Sequence, residues 1–353
     1  SGRIRSIGAF GMAGAYFWYG SCDRDDHRRL TSPLQFLRQP GWRITRTGNI
    51  RMKKLFGAAF ILLAGFAHAG DYTKTKYPLV LAPGVLGFDK VLGIEYWYGI
   101  PGALRKDGAQ VFVTSASAFN SSEARGEQTL RQVQDILAIT GAAKLNLIGH
   151  SHGGFSVRYV ANLMPSRIAS MTLVGSPVKG TPVADLVGKF TANRAIGGLA
   201  GTIGNAFSSL LTTLAGNNYN EDILGSMASL STSGAATFNA THAMGVPATT
   251  CGEGAYTANG MRLYSWSGTS PVTNIFDVTD ALFGATSLAF IGKEANDGLV
   301  GRCSSHFGQV LRDNYPWNHG DEINHLFGLR GLFTTDPVSV YRQQANRLKL
   351  AGL

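Results

Sequence analysis

The sequence predicts an α/β fold, a mainly parallel sheet with helices covering both faces. Three observations carry that reading. From Tyr77 onward, short apolar runs alternate with stretches of helical period, the pattern left by parallel strands and their crossover helices. One run, Leu145-Asn146-Leu147-Ile148, passes through Gly149-His150-Ser151-His152-Gly153 straight into the helical sequence Phe155, Val157, Arg158, Tyr159, Val160, Leu163. No internal repeat, low-complexity tail or linker divides the chain after residue 69, so a single domain is expected over 70–353.

The net charge of +10 is unevenly spread: residues 1–69 hold 11 Lys and Arg against 3 Asp and Glu, which leaves +2 for the rest. The body therefore offers no basic stripe to phosphates, and nucleic acid is not expected as a partner. Met52-Lys53-Lys54, the apolar Leu55–Phe66 and Ala67-His68-Ala69 form a charged start, an apolar core and a small-x-small cleavage site. In that order they read as a secretory signal peptide over 52–69, with a core too short for a permanent span; a buried core helix is the competing reading. Residues 1–51 show no sustained period and are set outside the fold as upstream translation. Cys251 and Cys303 remain after Gly70, and two cysteines in an exported chain read as one disulfide, with two buried thiols as the alternative.

Taken in order, Tyr77-Pro78-Leu79-Val80-Leu81-Ala82 reads as a strand opening into the loop Pro83-Gly84-Val85-Leu86-Gly87. Gln110–Thr114 reads as a second strand. Ser122–Thr140 reads as a helix with Leu130, Val133, Ile136 and Leu137 on one face, and Gly141 ends it. Met171–Gly175 is the strand after the glycine-flanked serine. Over 192–217, Ile196, Leu199, Ile203, Phe207, Leu210 and Leu214 make an apolar stripe opposite Thr202, Asn205, Ser208, Ser209, Thr212 and Thr213. That stripe fits a core-covering helix or an apolar lid; its place after the serine turn favours the lid. Asn217–Ala240 reads as surface turns and helix ends, and Met261–Gly268 as a strand. Ala295–Val300 and Asn318–Glu322 are polar turns carrying an acid and a histidine.

Gly-x-Ser-x-Gly between a strand and a helix is the nucleophile elbow of the α/β-hydrolase fold, and its partners follow in the order acid, then histidine. A serine hydroxyl needs an imidazole to take its proton and a carboxylate to fix that imidazole. His152 adjoins the serine, so its backbone N–H is the more useful group; His242 precedes the acid candidates, and His306 lies close to Cys303. His319 has the expected position, ahead of His325. Asp297 is the favoured acid, with Asp277 and Asp280 as competitors. The loop after Ala82 is where this fold places one oxyanion-hole amide.

At this point the chain resembles the secreted bacterial true lipases of the Pseudomonas and Burkholderia type, triacylglycerol lipases. The likeness runs from Tyr72 to Leu353 and rests on Tyr77–Ala82, Leu86-Gly87-Phe88, Gly149–Gly154, Cys251-Gly252-Glu253-Gly254, Ala295–Val300 and Arg312-Asp313-Asn314-Tyr315. The resemblance implies Ser151 as nucleophile, Asp297 as acid, His319 as base and the amides of Val85 and His152 as oxyanion hole. It also implies a Cys251–Cys303 disulfide and one structural Ca²⁺, held by the side chains of Asp277 and Asp321 and the carbonyls of His325 and Leu329. Oxygen-only donors suit that hard cation. A membrane-anchored foldase in the periplasm and type II secretion to the extracellular medium are implied as well. Two departures stand out: Pro83-Gly84-Val85 replaces a usual His-Gly-Met, and His325 replaces a frequent glutamine. Rival expectations are an esterase or phospholipase, or an inactive hydrolase fold that only binds surfaces.

Overall fold

The computed structural model describes residues 70–353 apart from 86–89, 92, 93, 194, 196 and 216–221; the signal-peptide and upstream expectations for 1–69 lie outside the described residues. The strands are β1 Leu79–Ala82, β2 Lys90–Val91, β3 Ile94–Glu95, β4 Val111–Val113, β5 Leu145–His150, β6 Ile168–Val174, β7 Thr257–Ala258, β8 Met261–Gly268 and β9 Gln309–Tyr315. The α-helices are α1 Ile100–Lys106, α2 Ser122–Thr140, α3 Gly153–Leu163, α4 Pro182–Ala192, α5 Gly198–Ala215, α6 Ile223–Leu230, α7 Thr232–Thr241, α8 Asp280–Thr286 and α9 Pro337–Leu350. The main sheet runs β4-β1-β5-β6-β8, with β9 beyond β8, and all these pairings are parallel. Only the two-residue β7 joins it antiparallel, and β2 pairs with β3 apart from it.

Alternation along the strands splits the apolar residues between two cores. Val80, Leu145, Leu147, Met171 and Leu173 point to the face covered by Leu130, Val133, Ile136 and Leu137 of α2 and Val157 and Val160 of α3. Their neighbours Leu79, Leu81, Ile148, Val174 and Trp266 face α1 and α9, through Ile100, Leu104, Tyr341 and Leu348. Strands buried on both faces become near-continuous apolar runs, which is why they stood out in the sequence. The loops that matter here leave the carboxyl ends of β1, β5, β8 and β9, the edge where open parallel sheets bind ligands.

The segment expected as surface turns after Asn217 is instead two helices. Asp222 and Ser231 cap α6 and α7 with side-chain acceptors, and Met227, Leu230, Ala235 and Phe238 are buried. Serine and alanine content masked caps and an interior face that only packing makes visible. In the 192–217 stretch, α4 ends at Ala192 and α5 spans Gly198–Ala215, while Ile196 and the side chains of Leu210 and Leu214 lie outside the described residues. Ile203 and Phe207 are buried, Thr202, Asn205, Ser208 and Ser209 face out, and Leu199 is half exposed rather than part of the buried stripe. Among the described residues no helix is long and apolar enough to cross a membrane.

Candidate active site

Ser151 follows the last residue of β5 at φ 55°, a left-handed conformation that a non-glycine residue adopts only under constraint. The constraint is steric: a Cβ on Gly149 would stand 2.5 Å from the Gly153 carbonyl, and one on Gly153 would collide with the Ala82 carbonyl. The turn thus presses α3 against β1 and β5, as the elbow motif requires.

Two loops bring the acid and histidine to that turn. The backbone N–H of His319 donates to the Asp297 carbonyl at 2.9 Å, and its Nδ1 to Asp297 Oδ2 at 2.8 Å. Asp297 Oδ1 accepts from the amides of Leu299 and Val300 at 2.8 and 2.7 Å. This fully buried carboxylate is therefore satisfied on both oxygens. The imidazole of His319 lies with its centre 4.5 Å from that of His150, the residue preceding Ser151, and its Nε2 has no hydrogen-bond partner among the described residues. One imidazole nitrogen is oriented, and the other is left open beside the elbow.

The competing residues are engaged elsewhere. Asp280 accepts from the amides of Thr273 and Asn274 and from Asn318 Nδ2, and Asp277 accepts from Thr279. His306 bonds Gly252 O and Asp313, and His242 stacks on Phe238. The ring of His152 turns away to Ser122 Oγ at 2.9 Å and Ser226 Oγ at 3.4 Å, and burial pushes its pKa well below the usual imidazole range. Its amide and that of Val85 donate to no atom among the described residues. The His152 amide sits at the N-terminus of α3, where helix dipole and free N–H groups favour negative charge.

A second carboxyl, Glu322, is fully buried beside the pair. Its Oε2 lies 3.2 Å from His150 Nε2 and 3.7 Å from His319 Nδ1, and Oε1 accepts the Gly268 amide at 2.7 Å. Burial first, then the charge of Asp297, raises its pKa well above the carboxylate range. Nothing in the sequence marked it beyond its place three residues after His319, since a glutamate in a polar turn reads as solvated surface.

A small cavity of about 30 Å³ opens on Ser151 and is walled by Val85, Pro177, Val183, Met227, Leu230, Leu299 and Val300, with Phe207 of α5 among its lining. Its walls beside the serine and Val85 are mostly apolar, which suits an apolar acyl group rather than a charged ligand.

The expected metal ligands Asp277 and Asp321 are both buried. Asp277 Oδ2 and Asp321 Oδ1 have no hydrogen-bond partner among the described residues. Burial, with Asp280 and Asp277 adding, pushes the Asp321 carboxyl up to about 7. Two orphaned carboxylate oxygens in one buried region fit a hard divalent cation. The His325 carbonyl comes within 3.8 Å of a Cβ built on Gly320, and Leu329 lies in the loop that Asn274 Nδ2 ties down through the Arg330 carbonyl at 2.9 Å. Cys251 and Cys303 form a disulfide with Cα atoms 4.5 Å apart.

Comparison with known proteins agrees with this geometry. Residues 77–322 match the family model described as alpha/beta hydrolase fold. A triacylglycerol lipase of Vibrio cholerae is 52% identical over 288 residues, covering 80% of this chain and 90% of that protein. Triacylglycerol lipases of Burkholderia plantarii and Pseudomonas fragi are 40% and 39% identical, covering 85% and 80% of this chain and 94% and 99% of theirs. The crystal structure of Staphylococcus hyicus lipase shares the fold, with a TM-score of 0.53 at 18% identity, covering 80% of this chain and 98% of that one. The elbow, the open histidine and these relatives lead to one conclusion: the chain belongs to the triacylglycerol lipase family of the α/β-hydrolase fold.

Proposed function

We propose that this lipase is secreted and hydrolyses long-chain triacylglycerols at a lipid–water interface through an acyl-enzyme on Ser151. The observation that carries the reading is the Asp297–His319 hydrogen bond at 2.8 Å, with Nε2 unpartnered among the described residues and the ring centred 4.5 Å from that of His150, the residue before the elbow serine. His319 takes the Ser151 proton as Oγ attacks the ester carbonyl, and Asp297 holds the resulting imidazolium. The amides of Val85 and His152 receive the oxyanion. His319 then protonates the departing alcohol, and a water activated by the same histidine releases the fatty acid. Asp277, Asp321 and the carbonyls of His325 and Leu329 would hold Ca²⁺, which would neutralise buried carboxylates and pin the loop that carries His319.

Helix α5 is the lid in this reading. Phe207 shares the cavity with Ser151, and Ser151 is only 5% exposed, so access for a long chain requires α5 to move. A lipid surface would compensate the apolar area uncovered. Export through the periplasm, with foldase and type II secretion partners, follows from the leader and the family likeness.

Ser151→Ala is expected to abolish turnover of emulsified triolein while leaving the circular dichroism spectrum and melting temperature unchanged. Residual turnover by a pure, folded variant would remove Ser151 from the mechanism. A rate on emulsions no greater than that on dissolved short esters would favour an esterase.

A further inference from the structure

The Gly84–Val85 peptide carries one of the two amides assigned above to the oxyanion, and three buried side chains fix it. Pro83 has no N–H, so Gly84 provides the first amide of the loop after β1, and it donates to Tyr96 Oη at 2.9 Å. Tyr96 Oη lies 2.7 Å from His150 Nδ1. A hydroxyl that accepts from Gly84 has its own proton free for Nδ1, which leaves the other ring N–H of His150 to face Glu322 Oε2 at 3.2 Å. On the far side of Gly84, Arg125 Nη2 donates to the Gly84 carbonyl at 2.6 Å and to the Pro83 carbonyl at 2.9 Å. In a planar trans peptide the N–H points opposite the C=O, so this contact aims the Val85 amide away from Arg125. A Cβ on Gly84 would stand 2.6 Å from Ser151 Cβ and 2.8 Å from Tyr96 Oη, so loop, tyrosine and nucleophile are in mutual contact.

We propose that Tyr96 and His150 are positioning residues that bridge the oxyanion loop to the nucleophile elbow and set the spacing between the Val85 amide and Ser151. The proposal rests on the oxyanion-hole reading above. The two halves of the reaction centre come from different loops: Val85 follows β1, and Ser151 follows β5. His150 belongs to β5 and directly precedes the nucleophile, so a hydrogen bond from Tyr96 to its ring references the loop to the serine itself. Tyr96 and His150 act through Gly84. Without the tyrosine hydroxyl, the buried Gly84 amide loses its acceptor, and the loop loses its tether to β5. The loss is felt when the oxyanion forms, hence in kcat more than in KM.

The test compares a soluble ester with its thiono analogue, in which sulfur replaces the carbonyl oxygen. A thiolate anion is larger and accepts hydrogen bonds poorly, so an enzyme that uses an oxyanion hole prefers the oxygen ester, and a misaligned hole loses that preference. Losing an oxyanion donor costs about 10²–10³ in rate, so displacing one through Tyr96→Phe is expected to lower kcat on the oxygen ester by about 10–100-fold. KM should stay within about twofold, and the oxygen-over-sulfur preference should narrow by the same factor as kcat. His150→Asn, whose amide oxygen can stand near the Nδ1 position, should retain more rate than His150→Leu. Circular dichroism and melting curves establish folding, and the Asn and Leu pair decides if Tyr96→Phe folds poorly. An unchanged kcat in folded Tyr96→Phe overturns the bridge, as do equal losses on both esters or equal rates for the Asn and Leu variants. No oxygen preference in the unsubstituted enzyme overturns the oxyanion-hole reading, and the bridge with it.

Discussion

Asp297 accepts hydrogen bonds on both oxygens, from two backbone amides on one and from His319 on the other, and this balance makes the residue sensitive to substitution. Asparagine keeps the size but presents an N–H₂ group where Nδ1–H must donate. The imidazole is then driven to the wrong tautomer, which in other Ser-His-Asp hydrolases lowers kcat by about 10⁴. Asp297→Asn is expected to lose activity on that scale with little change in KM, read from steady-state rates on a dissolved ester. A variant near the parent rate would show that another carboxyl orients His319. Asp297 and His319 were legible because the fold fixes their order in the chain, and the alternatives were few. Glu322 was not, because its meaning lies in being fully buried 3.2 Å from His150 and 3.7 Å from His319, which chain spacing does not reveal.

At the scale of elements, the proposed lid α5 would join access to chemistry. Phe207 is buried in the core and at the same time lines the cavity at Ser151. Phe207→Ala shortens that roof. The activity on dissolved short esters is expected to rise relative to that on emulsions, measured as the ratio of the two rates. A ratio unchanged in a folded variant would argue that α5 is a fixed wall. The disulfide is a second element-scale device: it closes a span of 52 residues that contains β8 and α8 and ends just past the Asp297 turn. Loop closure of that size is worth about 4 kcal/mol in the chain-entropy account. Replacing both Cys251 and Cys303 by serine should lower the unfolding free energy by about 2–5 kcal/mol in urea titration. Helix α2 and strand β8 could be read from the sequence to the residue, since periodicity and burial coincide there. Helices α6 and α7 could not, because their apolar faces are sparse and built partly from alanine and serine.

For the whole molecule, the parallel sheet delivers the loops after β1, β5, β8 and β9 to one edge, where serine, acid, histidine and unused amides meet. The proposed calcium links that assembly to pH. Burial raises the pKa of Asp277 and brings that of Asp321 to about 7. Each group binds its proton more tightly folded than unfolded, so without a cation the stability present at low pH is lost as pH rises from about 4 through about 7. Calcium replaces the proton, so its protection must grow over the same window. The rise in melting temperature on adding calcium is expected to be larger at pH 8 than at pH 5, and chelation at pH 8 should also cost activity. Equal protection at both values would separate these carboxylates from the cation.

The sequence by itself determined the alternating α/β pattern, the elbow serine and the order of its partners. Those depend on local periods, on glycines that a tight turn demands and on a fixed chain order. Only the tertiary structure decided which histidine and acid meet, that the ring of His152 turns away from the serine, and that Glu322, Tyr96 and Arg125 surround the site. Those facts depend on loops from distant strands converging on one sheet edge. Burial there gives an ordinary side chain defined partners, and neither the burial nor the partners are encoded in its neighbours along the chain.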